Sequence, residues 1–182
     1  MQVNKAQLIA ELLSLTQKSI TAVNRFKTLN INQLNFKSSA QQWSILECLE
    51  HLNLYGDFYL PEMQKQLLNT TYKGNNHIFK SGIIGNYFAG LMKIKNGKIK
   101  KMKSPKEKNP VNSNLTITTI DRFLKQQDLL KILLKQALAA DICKIKTAIS
   151  LSKFIELRLG DTFRFYVYHV ERHILQAEII IV

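Results

Sequence analysis

The chain has 182 residues, 46% of them hydrophobic, which is an ordinary length and composition for one globular domain. Only 7 glycines and 3 prolines interrupt it, so long helices are favoured. No stretch approaches the roughly 20 uncharged apolar residues that cross a bilayer, and the N-terminus lacks a continuous apolar signal core. We therefore expect a cytoplasmic protein without a membrane span. The two cysteines, Cys48 and Cys143, show no C-x-x-C spacing and predict no disulfide framework.

The net charge of +13 is concentrated in one segment. Residues 71–108 contain ten lysines and a single glutamate, which gives +9 and leaves +4 for the rest of the chain. Such a run can neutralise phosphates or lie on an anionic membrane surface. Solvated charge runs are the more common case, and no nucleic-acid-binding module is recognisable. We therefore do not expect a nucleic-acid partner, and we interpret the segment as a solvated loop, peripheral to any chemistry.

Two long helices are predicted in the first part of the chain. Residues 5–29 repeat apolar side chains at helical spacing. A second helix is predicted to start after Ser44, a good N-cap, with Glu47 completing a capping box and Trp43 at the position of a hydrophobic staple. It should continue to about residue 68, although Pro61 lies inside it and removes one backbone hydrogen bond.

A long connection separates these helices from two further ones. Residues 71–114 are rich in glycine and lysine, and their apolar middle predicts a short helix over Ile83–Met92. A third long helix should begin at residue 118 or 119. The mixed stretch that follows could contain a short helix at 152–159, and Asp161 or Thr162 should cap a final helix over 163–182. Four amphipathic helices without alternating strand patterns predict an all-α fold, a four-helix bundle with a long basic connection between helices two and three.

Three of the four histidines are candidate metal ligands. His169 and His173 are four residues apart, so they lie one above the other on the last helix, along one edge of its apolar stripe. His51 borders the apolar face of the second helix. Three imidazoles from two neighbouring helices would hold one ion and leave a coordination position open, as catalytic sites do. The alternative is that they are hydrogen-bonded core residues, because an H-x-x-x-H pair alone is a weak signal.

Other polar residues near these positions have competing interpretations. Glu47 could act as a general base, but its place in the capping box already explains it. Tyr55, Tyr166 and Gln176 could line a cavity as hydrogen-bond donors, although the tyrosines are more commonly core residues with a satisfied hydroxyl. His77, in the basic connection, is interpreted as a surface residue. No catalytic base can be assigned.

Two motifs resemble those of a known family. The first, W-S-x-x-E-x-x-x-H-L, starts at Trp43, and the second, H-x-x-R-H-x-x-Q, starts at His169. Together with the order of helices and the chain length, they resemble the DinB-like superfamily over essentially the whole chain. We therefore interpret residues 1–182 as a single domain of that kind. The resemblance implies a four-helix bundle in which His51, His169 and His173 bind a divalent ion, often nickel or zinc. Iron stays an alternative because imidazole ligands alone do not distinguish these metals.

The resemblance also implies a class of function. Characterised relatives include bacillithiol-dependent thiol S-transferases and mycothiol-dependent isomerases, and homodimers are frequent. We therefore expect a metal-dependent enzyme acting on a small-molecule substrate with a low-molecular-weight thiol, with thiol transfer ahead of hydrolysis. The alternative is a non-catalytic protein of the same fold that binds a metal or an anionic partner. Such a resemblance predicts the fold far more reliably than it predicts the substrate.

Overall fold

The protein is predominantly helical. The computed structural model describes residues 1–39, 41–72, 74, 76–94, 97, 99, 102–111 and 113–180. The helices are α1 (Lys5–Phe26), α2 (Ile31–Leu34), α3 (Ile45–Asn69), α4 (Ile83–Met92), α5 (Thr118–Gln136) and α6 (Leu159–Glu178). The strands are β1 (Gln2–Asn4), β2 (Ile78–Lys80), β3 (Lys146–Ile149) and β4 (Ser152–Arg158). Two short 3-10 helices cover Lys106–Lys108 and Ala137–Ala139.

Four long helices surround the core. α3 packs on α5 and α6, and α1 packs on the same two helices. Each of the four has an apolar stripe, and the buried side chains of these stripes form one continuous hydrophobic cluster. α4 packs on the outside of α6. In the parts of the chain that the structure describes, no helix is long and apolar enough to cross a membrane.

The start of α3 follows the sequence prediction. The Ser44 side chain accepts a hydrogen bond from the Glu47 backbone N–H (3.1 Å), and the Glu47 carboxylate accepts one from the Ser44 N–H (2.8 Å). This capping box satisfies two of the helix's free N–H groups. Pro61 lies within α3, which continues to Asn69. The capping box fixes the first residue of α3, and this sets the face of the helix on which His51 lies.

The prediction of a short helix at 152–159 is wrong, because β4 occupies this stretch and pairs antiparallel with β3. Phe154 and Glu156 are exposed whereas Leu157 is buried, which is the alternation of a half-buried strand. The adjacent apolar residues Phe154 and Ile155 obscure that alternation in the sequence. β1 and β2 form a second antiparallel pair. The all-α prediction therefore described the dominant helices and missed two small sheets.

The last helix begins earlier than predicted. α6 starts at Leu159, so Asp161 lies inside its first turn and is not the N-cap. The Asp161 carboxylate is fully buried and accepts hydrogen bonds from the Ser81 hydroxyl, from the Gly82 N–H (2.8 Å) and from Arg164 (2.9 Å). These bonds hold the residues just before α4 against α6. The helix ends at Glu178, and the predicted end at residues 181–182 lies outside the described residues.

The lysine-rich connection is described only in part. Lys73, Lys95, Lys98, Lys100 and Lys101 lie outside the described residues. The described part contains β2, α4 and the 3-10 helix Lys106–Lys108, which packs against α3. The end of this connection therefore reaches the helix that carries His51.

Candidate metal centre

The structure brings the three candidate ligands together. His51, in the second turn of α3, faces His169 and His173 of the neighbouring helix α6, and the three ring centroids are 4.6–5.1 Å apart. All three are buried, with exposed fractions of 3%, 4% and 9%. Within the described residues they are the one group of at least three histidine, cysteine or carboxylate side chains close enough to share an ion. Their candidate ligand atoms lie within 4.8 Å of one another.

Hydrogen bonds to groups outside the cluster orient two of the three rings, while the third, His169, contacts His51 Nε2 through its own Nε2. The His51 Nδ1–H donates to the backbone carbonyl of Lys108 (2.6 Å), and the His173 Nδ1–H donates to the amide oxygen of Gln176 (3.0 Å). Since Nδ1 carries the proton in both rings, each Nε2 keeps its lone pair. Metal-binding histidines commonly have this arrangement, in which a carbonyl or amide fixes the tautomer and the ring plane. Among the described residues, His169 Nδ1 has no hydrogen-bond partner.

The spacing of the nitrogens suits a first-row divalent ion. The Nε2 atoms of His51 and His169 are 3.2 Å apart. Two nitrogens at about 2.0–2.1 Å from one tetrahedral zinc ion would be about 3.3 Å apart. Two nitrogens at right angles in an octahedral nickel site would be slightly closer, so this distance fits either ion. Imidazole ligands alone do not distinguish zinc, nickel and iron.

Burial keeps these rings in the state that binds metal. Loss of solvent lowers the pKa of His51 from 6.5 to about 4, which the hydrogen bond to the Lys108 carbonyl opposes and the Lys108 charge reinforces. Burial, followed by the neighbouring histidines and Arg172, also lowers the pKa of His169 well below 6.5. The pKa of His173 falls in the same way. Neutral imidazole is the ligand form, so burial holds all three rings in the protonation state that binding of an ion would require.

Aromatic side chains enclose the cluster. Trp43 lies beside His51 and His173, with ring centroids at 4.7 and 5.7 Å. Tyr55 lies beside His51 and His169, at 4.9 and 4.5 Å, and burial raises the pKa of its hydroxyl to about 12. Tyr55 is therefore a neutral hydroxyl next to the cluster. These contacts leave the three imidazoles in a mainly apolar environment, which strengthens electrostatic interactions inside it.

Lys108 contacts the histidine cluster, and the sequence did not predict this contact. Its carbonyl holds His51, and its ammonium group lies 5.6 Å from the centre of the Tyr55 ring and donates to the Leu54 carbonyl (2.5 Å). The expectation that the basic connection is peripheral to the site is thus wrong for Lys108. No sequence signal could have identified it, because every residue carries the same backbone carbonyl.

The remaining candidates have structural roles. Glu47 is engaged by the capping box and by Lys37, whose ammonium lies 3.0 Å from its carboxylate, which favours capping over the general-base interpretation. Tyr166 is fully buried and packs near Tyr59, as a core residue. His77 is exposed, as expected. Cys48 is buried, and loss of solvent raises the pKa of its thiol far above the usual range, so it is not a reactive thiolate.

A family model identifies the family to which the chain belongs. The family model described as the DinB superfamily matches residues 13–177, and this range contains all three histidines. The chain belongs to the DinB superfamily. No curated protein and no solved structure matches it. In this DinB-superfamily protein the histidines of both sequence motifs lie in one buried cluster that could hold a metal ion.

Proposed function

We propose that this DinB-superfamily protein is a divalent-metal-dependent enzyme whose ion is held by His51, His169 and His173. The observation that carries the proposal is the convergence of three buried, neutral imidazoles, two of which have Nδ1 engaged in a hydrogen bond, so that Nε2 is the nitrogen that keeps its lone pair. A group of three histidines without a carboxylate leaves room for further ligands on a zinc, nickel or iron ion. We further propose that the four long helices and residues 1–182 form the single bundle domain of the family.

The chain's own residues would orient and shield the site. The Lys108 carbonyl and the Gln176 amide hold the His51 and His173 rings in position, which limits the reorganisation needed on binding. Trp43 and Tyr55 exclude water from two sides of the cluster. The Tyr55 hydroxyl, neutral at physiological pH, is available as a hydrogen-bond donor beside the reacting group.

A divalent ion bound there would supply a Lewis acid that lowers the pKa of a thiol or of water. We propose thiol transfer ahead of hydrolysis, with a low-molecular-weight thiol and a small electrophilic molecule as substrates. We place thiol transfer first because the chain belongs to the DinB superfamily, whose characterised members include thiol-dependent enzymes. The homodimer and the cytoplasmic location stay predictions from the sequence and the resemblance.

The experiment is a turnover screen on protein purified without an affinity tag and loaded with zinc or nickel. Conjugation of several low-molecular-weight thiols to electrophiles is measured beside hydrolysis of activated esters and amides. The variant is His169→Ala, and the matched control is His77→Ala, which removes an exposed histidine from the same chain. We expect thiol conjugation by the wild type and by His77→Ala, and its loss in His169→Ala.

Two outcomes would change the proposal. Hydrolysis without thiol conjugation, again lost in His169→Ala, would select the hydrolase interpretation. Stoichiometric metal with neither activity across the screen would support the alternative, a non-catalytic metal-binding or anionic-partner-binding protein of the same fold.

A further inference from the structure

Helix α4 is apolar on all sides but only half buried. Among its ten residues, I-I-G-N-Y-F-A-G-L-M, the one polar side chain is Asn86, and this amide accepts a hydrogen bond from Arg164. An α-helix that is hydrophobic all round is normally enclosed by protein or lipid. Here only one face is covered, because Gly85, Ala89 and Met92 are buried against the rest of the protein. The other face is therefore an anomaly for a surface helix.

Three large side chains make up the uncovered face. Ile83 is 92% exposed, Ile84 50% and Tyr87 63%, and their spacing places them on one side of the helix. We call these three residues the α4 stripe. A contiguous exposed apolar patch on a surface helix marks an interaction site more often than a single exposed leucine does.

The α4 stripe is held rigidly in place. A Cβ atom on Gly85 would lie 2.5 Å from the Asp161 side chain, so this glycine permits the close approach of α4 to α6. The buried Asp161 carboxylate bonds the Ser81 hydroxyl and the Gly82 N–H immediately before the helix. The face that points outward is thus fixed by α6 and is not a fraying end.

Lysines flank α4 on both sides in the sequence. Lys80 and Lys93 flank α4 directly, and both are exposed. Lys93 is 3.9 Å from Glu11, which is the acidic partner that the structure shows for it. The segment from 71 to 108 carries ten lysines and one acid, so the sequence on both sides of the helix is cationic. An exposed apolar helix face bordered by lysines is the pattern of a peripheral membrane-binding helix.

We propose that the α4 stripe docks on an anionic phospholipid surface, with the flanking lysines attracting it and the three apolar side chains entering the headgroup boundary. The charge argues against a second copy of the chain, because two copies joined at this face would bring Lys80 and Lys93 of one copy towards the same lysines of the other. Three side chains also cover much less than the roughly 800 Å² per partner of a stable protein interface. The phosphates of a nucleic acid would contact the lysines, but the exposed isoleucines would find no apolar partner there. This inference is independent of the metal centre.

The test is flotation of the full chain with vesicles of phosphatidylcholine alone and of phosphatidylcholine with one third phosphatidylglycerol. The variant carries Ile83→Glu together with Tyr87→Glu. The matched control is Ile132→Glu together with Leu138→Glu, which adds the same two carboxylates at exposed positions on α5 and on the 3-10 helix that follows it. We expect the wild type and the control to bind the anionic vesicles and not the neutral ones. The double variant should bind about tenfold or more weakly.

A second readout separates insertion from simple charge attraction. In Tyr87→Trp, fluorescence should shift to the blue on adding anionic vesicles, and acrylamide should quench it less. Trp43, the only natural tryptophan, lies beside the histidines and provides the background signal from the wild type. Circular dichroism of each variant checks that the helices are retained.

Several results would overturn the proposal. Equal binding of the double variant and the wild type would show that the lysines act alone, without the α4 stripe. Absence of binding to anionic vesicles, or binding to an oligonucleotide that competes fully with them, would contradict a lipid surface. A dimer in sedimentation that dissociates in the double variant would identify a second copy as the occupant.

Discussion

Gln176 accepts the Nδ1–H of His173 and so fixes which nitrogen of that ring carries the proton and which keeps its lone pair. Gln176→Ala removes this acceptor without touching a candidate ligand. We expect metal affinity to fall about 10- to 100-fold, the usual cost of losing such a partner. Competition with a chromogenic chelator measures the affinity. Gln66→Ala, which removes a glutamine bonded to Glu62 in the distant end of α3, should leave it unchanged, and an equal loss in both variants would contradict the role of Gln176.

His51 makes the stability of the metal-free protein depend on pH. Its pKa in the folded state is about 4 because of burial, whereas a histidine in an unfolded chain titrates near 6.5. Between these values the unfolded state binds more protons, so stability falls as the pH drops from about 6.5 to about 4, with no further change from this group below that. The difference between these two pKa values corresponds to about 3–4 kcal/mol for His51 alone.

Urea unfolding of chelator-treated protein at several pH values measures this dependence. His51→Gln should reduce the slope, since it removes one of the groups that gain a proton on unfolding. His169 and His173, whose pKa values are also lowered, would maintain the rest of the slope. Identical slopes in the wild type and in His51→Gln would show that His51 is not held neutral by burial.

At the scale of elements, the contact between α4 and α6 depends on the buried Asp161. Asp161→Ala would leave Arg164, whose side chain is 5% exposed, without its anionic partner. We expect a loss of about 3–5 kcal/mol in the free energy of unfolding, the range for removing one partner of a buried ion pair. Chemical denaturation measures it.

The matched control is Asp128→Ala on α5, whose side chain is 70% exposed and pairs with Lys131. A surface ion pair of this kind contributes at most about 1 kcal/mol. Comparable losses in the two variants would mean that Asp161 does not anchor α4. A loss confined to Asp161→Ala would support the network of Ser81, Gly82 and Arg164 around it.

The elements differ in how far the sequence could predict them. α3 was predictable because a capping box and a long apolar stripe agree, and α4 because an apolar run stands between polar neighbours. The start of α6 was not predictable from the sequence. Aspartate is a common N-cap residue, and only tertiary contacts show that the Asp161 carboxylate accepts hydrogen bonds from Ser81, Gly82 and Arg164. The β3–β4 hairpin was missed because its register shifts between Ala148 and Ile149, which breaks the period of two.

At the scale of the whole molecule, the four helices should not depend on the ion. His173→Ala removes one candidate ligand, and the space can fill with water, while the apolar stripes that hold the helices together are unchanged. We expect near-native helicity by circular dichroism, a stability within about 1–2 kcal/mol of the metal-free wild type, and little bound metal.

Unfolding of the variant would instead indicate that the ion has a structural role. If His173→Ala unfolded, and the chelator-treated wild type were itself unstable, the ion would serve to hold the fold together. The enzyme proposal would then lose its main support, because structural sites are closed whereas catalytic sites keep an open position.

The three candidate histidines could be picked out in the sequence, but their surroundings in the fold could not. The spacing of His169 and His173 on a helix, and His51 at an apolar border, are visible in the sequence because they follow from helical periodicity. That α3 and α6 are neighbours is a tertiary fact, as is the approach of Lys108 from a segment 57 residues away along the chain. Periodicity carries no information about either.

X-ray absorption at the metal edge of the zinc- or nickel-loaded protein, purified without a tag, probes the three-histidine centre itself. We predict about three imidazole nitrogens at roughly 2.0–2.1 Å, completed by light atoms and without sulfur. His51→Ala, His169→Ala and His173→Ala should each lose the ion or one imidazole contribution, while His77→Ala keeps the wild-type spectrum. Sulfur scattering from Cys48 or Cys143, or a spectrum unchanged in all three variants, would contradict a centre built by His51, His169 and His173.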